Sequence, residues 1–236
     1  MITPTEAAQK LKELRTKDWY VIKTNRKPLS TYANVNWGLV ELDGYIEFSL
    51  GLGEVGAIKS QDPIVIYSII KEFSPQVILE IGRKSGLSTR FLAALAKSYG
   101  GKLYSIDGAS GYGVQKKLEL LNLADDVVVI EAWSPWVSFS SEIDFLFIDG
   151  DHSYISVIVD YHYFNYYLKK DGIVMFHDMD ISGVREAVET IIKRDQLKEL
   201  YKDNRVSVYQ KTSEIGQTYF QLQDIQRKKE VQKKIK

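Results

Sequence analysis

The sequence contains no cysteine in 236 residues. That excludes disulfide staples, thiolate metal sites and cysteine nucleophiles together. It also lacks an excess of charge of either sign, since 31 lysine and arginine residues face 31 aspartate and glutamate residues. A generally basic nucleic-acid binder is therefore not expected, although a local basic patch stays open. No apolar run reaches the length of a membrane span. The first thirty residues, MITPTEAAQKLKELRTKDWYVIKTNRKPLS, lack the apolar core of a signal peptide. The expectation is a cytoplasmic protein with no membrane partner. What is present is ordinary for a soluble globular chain: 44% apolar and 26% charged residues. The length suffices for one sizeable core with appendages.

Residues 5–16, TEAAQKLKELRT, read as a short helix, with Thr5 as its cap and Ala8, Leu11 and Leu14 at helical spacing. Residues 18–61 follow no single pattern, so 1–61 is taken as an N-terminal helical or irregular cap. From residue 62 the rhythm is regular. PIVIYSIIKEF reads as a helix opened by Pro63. The strands VILEI (77–81), KLYSID (102–107), DVVVIEAW (126–133), EIDFLFIDGD (142–151) and DGIVMFHD (171–178) follow. They alternate with the helices LSTRFLAALAKSYGG, VQKKLELLNL, SVIVDYHYFNYYLKK and GVREAVETIIKR. LKELY and RVSVYQK read as a closing hairpin. Strands apolar on both faces, alternating with helices, imply an α/β fold with a parallel sheet covered by helices. This core domain spans 62–212. Residues 213–236 form a basic tail ending QRKKEVQKKIK, read as a solvated or frayed helix, with an anionic partner as the alternative.

Three motifs compete for a functional reading. GLGEVG (51–56) fits G-x-G-x-x-G literally, but no helix follows at once, so a loop or ligand lid is the better reading than a dinucleotide site. Tyr166 and Lys170 fit the Y-x-x-x-K spacing of short-chain dehydrogenases, but in a tyrosine-rich segment that also reads as aromatic packing. The third motif, LEIGRKSGLST, closes the first apolar strand and leads straight into a helix. In an open α/β sheet, ligands bind at that position. Gly82 would let the chain turn sharply beside a ligand, and Gly86 would permit close contact of helix with ligand or strand. The loop lacks the P-loop ending and the second glycine of G-x-G, which selects a ligand less anionic than a pyrophosphate. Asp107, at the tip of the second strand, is placed to accept both hydroxyls of a ribose. Glu80 suits a cationic amino-acid portion. Helix capping is the alternative for either acid alone. Arg83 and Lys84 either face solvent or draw in an anionic acceptor.

On these residues the sequence resembles the class I S-adenosylmethionine-dependent methyltransferases, from about Pro63 to Lys211. IDGDHSY (148–154) and GIVMFHD (172–178) together resemble the O-methyltransferase branch of catechol, caffeoyl-CoA and macrolide-sugar enzymes, many of which use magnesium. The resemblance implies a Rossmann-like, doubly wound seven-stranded sheet in the order 3-2-1-4-5-7-6, with the last strand antiparallel. It places Glu80, Gly82, Gly86 and Ser88 on the amino-acid side of the cofactor and Asp107 at its ribose. Ala132 and Trp133 border its adenine, where the family commonly has a small residue and then an acid. Asp149, ending the strand beside the first one, would point toward the methyl group and so touch both cofactor and acceptor.

Asp149 and Asp178, on neighbouring strand tips, could share a hard cation such as Mg2+. His177 stands where metal-dependent relatives carry another acid, which opens the choice to manganese, iron or zinc. Residues 177 and 178 alternate faces if the strand persists. His152, three residues after Asp149, stands where catechol-type enzymes carry a catalytic lysine and is the candidate general base; its alternative is a helix-start residue bonding to the loop. Asp151 reads as the cap of the next helix, and His162 as packing or surface. The expected activity is O-methylation of a hydroxyl on a small molecule or sugar, using S-adenosylmethionine and a divalent cation. A metal-free methyltransferase, a nicotinamide-dependent oxidoreductase and a non-catalytic nucleoside-binding module are the alternatives. The acceptor would be shaped by residues 18–61, GASGYG (108–113) and the C-terminal segment. Trp19, Trp37 and Tyr112 offer an aromatic platform for it, with core packing as the alternative for the tryptophans. A homodimer through the N-terminal part stays open.

Overall fold

The computed structural model describes residues 62–109 and 113–213. The expected helix at 5–16, GLGEVG, Trp19, Trp37, Tyr112 and the basic tail lie outside the described residues. The elements in chain order are α1 (Asp62–Phe73), β1 (Val77–Ile81), α2 (Leu87–Lys97), β2 (Lys102–Asp107), α3 (Val114–Leu120), β3 (Val127–Glu131), β4 (Ile143–Ile148), α4 (Tyr154–Phe164), β5 (Leu168–Phe176), α5 (Ser182–Arg194), β6 (Leu197–Lys202) and β7 (Ser207–Lys211). They build one seven-stranded sheet in the order β3-β2-β1-β4-β5-β7-β6. Strands β1 to β5 pair in parallel, and β7 runs antiparallel to both β5 and β6. This is the Rossmann-like topology expected from the sequence, including the closing hairpin.

The apolar strands feed two cores because successive side chains point to opposite faces. Ile78, Leu103, Phe145, Phe147, Ile173 and Met175 pack under α1, α2 and α3. Leu79, Ile81, Ile106, Leu146, Ile148, Val174 and Phe176 pack under α4 and α5. Covering both faces removes any need for polar alternation, which is why β1 and β4 read as continuous apolar runs.

Several boundaries differ from the sequence reading, and those of α4, β4 and β5 bear on function. Helix α4 stops at Phe164, and β5 begins at Leu168. Tyr167 N–H donates to Phe164 C=O at 2.9 Å in the turn between them, and Lys169 is drawn to the sheet edge by Asp144, 2.9 Å away. Tyr166 therefore lies in a turn and Lys170 in a strand, so the Y-x-x-x-K pair shares no helix. Strand β4 ends at Ile148 and β5 at Phe176, so Asp149, His177 and Asp178 lie just past the strand ends. The ladder persists one residue into these loops. Asp149 N–H donates to Ile81 C=O at 2.8 Å, and His177 N–H to Ile148 C=O at 3.0 Å. The loop starts are thus fixed at the carboxyl edge of the sheet. Among the described residues no helix is long and apolar enough to cross a membrane.

Candidate active site

A cavity of about 630 Å3 opens at this edge, over the ends of β1, β2, β4 and β5. That volume suits a cofactor-sized ligand. Gly82, Ser88, Asp107, Ala132, Trp133, Asp149, His152 and Asp178 all line it. Glu80, Gly86 and His177, also expected at the site, do not.

Gly82 sits at φ +88°, and a Cβ there would lie 1.9 Å from Asp149 C=O oxygen and 2.6 Å from Gly150 Cα. The glycine thus lets two loop backbones touch, besides bordering the cavity. Gly86 has a different job from the one expected. A Cβ there would meet the Val114 side chain at 2.8 Å, so this glycine lets α2 pack on α3. Arg83 is turned inward and buried, donating to Ser105 C=O at 2.9 Å and Ile130 C=O at 3.1 Å. It ties β2 to β3 and is unavailable to an acceptor, whereas Lys84 is exposed at the cavity.

Asp107 accepts Arg83 N–H at 2.8 Å and Lys84 N–H at 2.7 Å on Oδ2, and Ala109 N–H at 2.6 Å on Oδ1. A carboxylate offers about four lone-pair sites. With three taken, one lone-pair site stays open, where accepting both hydroxyls of a ribose would need two.

Glu80 is fully buried behind the loop rather than beside the ligand. Thr89 and Ser105 hydroxyls donate to its Oε2 at 2.6 and 2.5 Å, and Oε1 has no hydrogen-bond partner. Burial raises its carboxyl to about 7; donors from Ser105, Ser88 and Thr89 oppose this and do not overcome it.

Past β4 and β5 lies a knot of charge. His177 is buried, with Nε2 2.9 Å from Asp62 Oδ2 and Nδ1 3.0 Å from Asp149 Oδ1 and 3.3 Å from Asp178 Oδ1. Burial alone would lower its pKa, but Asp149, Asp178 and Asp62 outweigh burial and push it up to about 12. Both ring nitrogens of His177 thus face carboxylates, which favours the imidazolium over the neutral ring that a metal ligand needs, and the residues that converge on a candidate ion are Asp149, His152 and Asp178 instead. Arg205 joins the knot, 3.2 Å from Asp62 and 3.1 Å from Asp178. Burial would likewise raise the Asp178 carboxyl, but His177, Arg205 and His152 hold it down at about 2. Asp149 behaves oppositely: its burial exceeds the help it receives from His177, so its pKa is raised. Asp178 adopts φ +55°. That left-handed turn, not an alternating strand, is what lets residues 177 and 178 both face Asp149.

His152 is half-exposed, with Nε2 3.0 Å from Asp178 Oδ2. Asp149, His152 and Asp178 each offer a ligand atom, all within 4.8 Å of one another. Asp151 does not cap α4 itself. Ser153 does, accepting Ser156 N–H, while Asp151 accepts the hydroxyls of Ser153 and Ser156 at 3.0 and 2.7 Å.

The other end of the cavity is apolar and aromatic, formed by Ala132, Trp133, Pro135, Trp136, Ile155 and Val159. Trp133 lies against Gly108, where a Cβ would meet the indole at 2.6 Å. Two buried polar residues line this end, Ser134 and Asp160, and the Ser134 hydroxyl donates to Asp160 Oδ1. Sequence reasoning missed Asp160, although an acid inside the apolar stretch ISVIVDYHYF was a signal. It also missed Asp62 and Arg205, for which no local pattern exists, because they meet across 143 residues of chain.

Residues 79–179 match the family model described as a methyltransferase domain. Among curated proteins, none matches the sequence. Solved structures do. The SAH-bound Podospora anserina methyltransferase PaMTH1 superposes with a TM-score of 0.62 at 12% identity, covering 90% of this chain and 98% of that one. The O-methyltransferase from Bacillus cereus in complex with SAH gives 0.57 at 16% identity, covering 78% and 100%. The O-methyltransferase TomG from Streptomyces achromogenes, in complex with SAM, gives 0.56 at 14% identity, covering 83% and 96%. At these identities the likeness is one of fold.

Proposed function

We propose that the protein transfers the methyl group of S-adenosylmethionine to a hydroxyl of a small molecule or sugar, a reading supported by the match of residues 79–179 to the family model described as a methyltransferase domain. The observation that carries O-methylation is the pair His152–Asp178, 3.0 Å apart at the cavity wall beside Asp149. Direct displacement needs the acceptor oxygen, the methyl carbon and the sulfur in line, with a base for the hydroxyl proton. The oxygen attacks the methyl carbon as the carbon–sulfur bond breaks, and S-adenosylhomocysteine leaves. Asp178 holds the proton on His152 Nε2, so Nδ1 keeps the lone pair that accepts the hydroxyl proton. Within the ionic knot, three carboxylates (Asp62, Asp149, Asp178) face two cations (His177, Arg205). With all three ionised, one negative charge remains, to which Asp180 adds at 3.7 Å from Arg205, and this favours a sulfonium or another cation nearby.

A second reading has one observation in its favour. The donor set of Asp149, His152 and Asp178 fits a divalent cation such as Mg2+ or Mn2+. When bound, such an ion would lower the acceptor's pKa and orient it. His152 Nε2 cannot then both ligate the ion and be fixed by Asp178, so the two readings differ in what His152 does.

The test is a methyl-transfer screen over hydroxylated acceptors, with a chelator and with added magnesium or manganese, alongside His152→Ala and Asp149→Ala. As a base, His152 is expected to contribute about 100-fold or more in turnover, with cofactor affinity little changed. Chelator-sensitive activity restored by metal would favour the second reading. Full activity in both variants would refute the assignment.

A further inference from the structure

The two readings of His152 turn on Asp178, and a residue from the far end of the sheet already holds that carboxylate. We propose that Arg205 is the built-in cation of this site: it takes the Asp178 oxygen that a divalent ion would need, and so keeps Asp149, His152 and Asp178 for proton transfer rather than for metal. The inference rests on the His152-base reading above.

Arg205 sits between β6 and β7, in a turn that fixes its direction. Asp203 Oδ1 accepts Arg205 N–H at 2.7 Å and Val206 N–H at 2.8 Å, and the Tyr201 hydroxyl donates to Asp203 Oδ2 at 2.8 Å. From this turn Arg205 grips the loop after β5. Its carbonyl accepts Met179 N–H at 2.8 Å, while Nη2 lies 3.1 Å from Asp178 Oδ1 and Nη1 3.7 Å from Asp180 Oδ2. Buried Asp62 anchors the same Nη2 at 3.2 Å.

Asp178 is thereby committed. Oδ1 faces Arg205 and, at 3.3 Å, His177 Nδ1, and Oδ2 faces His152 at 3.0 Å. An ion ligated by Asp178 would have to sit beside the guanidinium, like charge against like. Metals commonly make room by displacing a proton from their ligands and neighbours. A histidine can give one up, but a guanidinium cannot. The negative charge left over in the knot still draws a monovalent cation to the cavity, without any need to ligate Asp178. Arg205 acts through Asp178, so it is a positioning residue.

The experiment titrates the full chain with Mn2+ and reads the free ion by electron paramagnetic resonance. The proteins are the wild type, Arg205→Met, Lys84→Met, and Arg205→Met combined with Asp149→Ala. Circular dichroism checks each fold, and calorimetry with S-adenosylhomocysteine runs alongside. The wild type should bind Mn2+ with a Kd above about 0.5 mM, and Arg205→Met should tighten this about tenfold or more, because a repulsion at short range is gone. Lys84→Met removes an exposed charge from the wall of the same cavity and should change the affinity less than about twofold, since such a charge is screened. Adding Asp149→Ala should abolish the gain. If Arg205→Met fails to fold, Asp203→Ala, which loosens the turn that aims Arg205, takes its place with an expected gain of about threefold or more. A wild type that binds more tightly than about 0.5 mM overturns the proposal, as does a gain below about threefold in the folded variant. So does an equal gain from Lys84→Met, or a gain that survives Asp149→Ala. Each of these leaves the methyltransferase reading standing. A wild type that does not bind S-adenosylhomocysteine removes that reading and, with it, the role of proton transfer assigned here.

Discussion

Replacing Glu80 by glutamine should stabilise the protein at alkaline pH and leave it almost unchanged in mild acid. Glu80 is fully buried, and its carboxyl stands at about 7 in the fold, against an ordinary value of 4.5. The folded state therefore keeps a proton that the unfolded chain releases. A raised carboxyl contributes stability that is fully present below pH 4.5 and is lost as pH rises through 7. The displacement of about 2.5 units, at about 1.36 kcal/mol per unit, corresponds to about 3 kcal/mol lost between those limits. Glutamine cannot ionise, yet its amide oxygen can accept from the same Thr89 and Ser105 hydroxyls that now donate to Oε2. Urea unfolding of both proteins at intervals from about pH 4.5 to 9 reads the difference directly. The variant should start near the wild type and gain about 3 kcal/mol on it by pH 9, with the change centred between 5 and 7. Other groups titrate in this window, but they are common to both proteins and cancel. Parallel pH profiles would show that Glu80 does not titrate in the fold as its burial requires.

Gly82→Ala should cost about 2–5 kcal/mol, from left-handed backbone strain and the clash with the Asp149 carbonyl. Gly86→Ala should cost less, because its obstacle is the Val114 side chain, which can move. Denaturation midpoints rank the two, and equal losses would deny the loop-to-loop contact its importance. His177→Leu should cost about 3–5 kcal/mol by leaving buried carboxylates without their shared cation. A loss under about 1 kcal/mol in urea unfolding would mean that the knot is not held by this imidazolium.

Much of the architecture was legible because it rests on local rules. VILEI and IDFLFI are apolar on both faces, which only a doubly covered sheet needs, and glycines and helix periodicity mark the connections. The cavity's position followed as well, since Gly82, Asp107, Asp149 and Asp178 all fall at or just past strand ends. The boundary at Lys170 was misread because apolar spacing alone cannot separate the end of an aromatic helix from the start of a buried strand.

The sequence by itself determined which residues gather at the carboxyl edge, because strand direction and parallel pairing leave the loops after β1, β2, β4 and β5 no other place to meet. It could not determine what each charged group does there. His177 became a buried cation rather than a ligand because Asp62, 115 residues away in the chain, closes over its far nitrogen. Arg83 turned from the cavity to the carbonyls of Ser105 and Ile130, and Asp160 came to the apolar end of the cavity by way of a helix that looked merely apolar. Charge state, hydrogen-bond direction and burial are set by neighbours in space, and those neighbours exist only once the chain has folded.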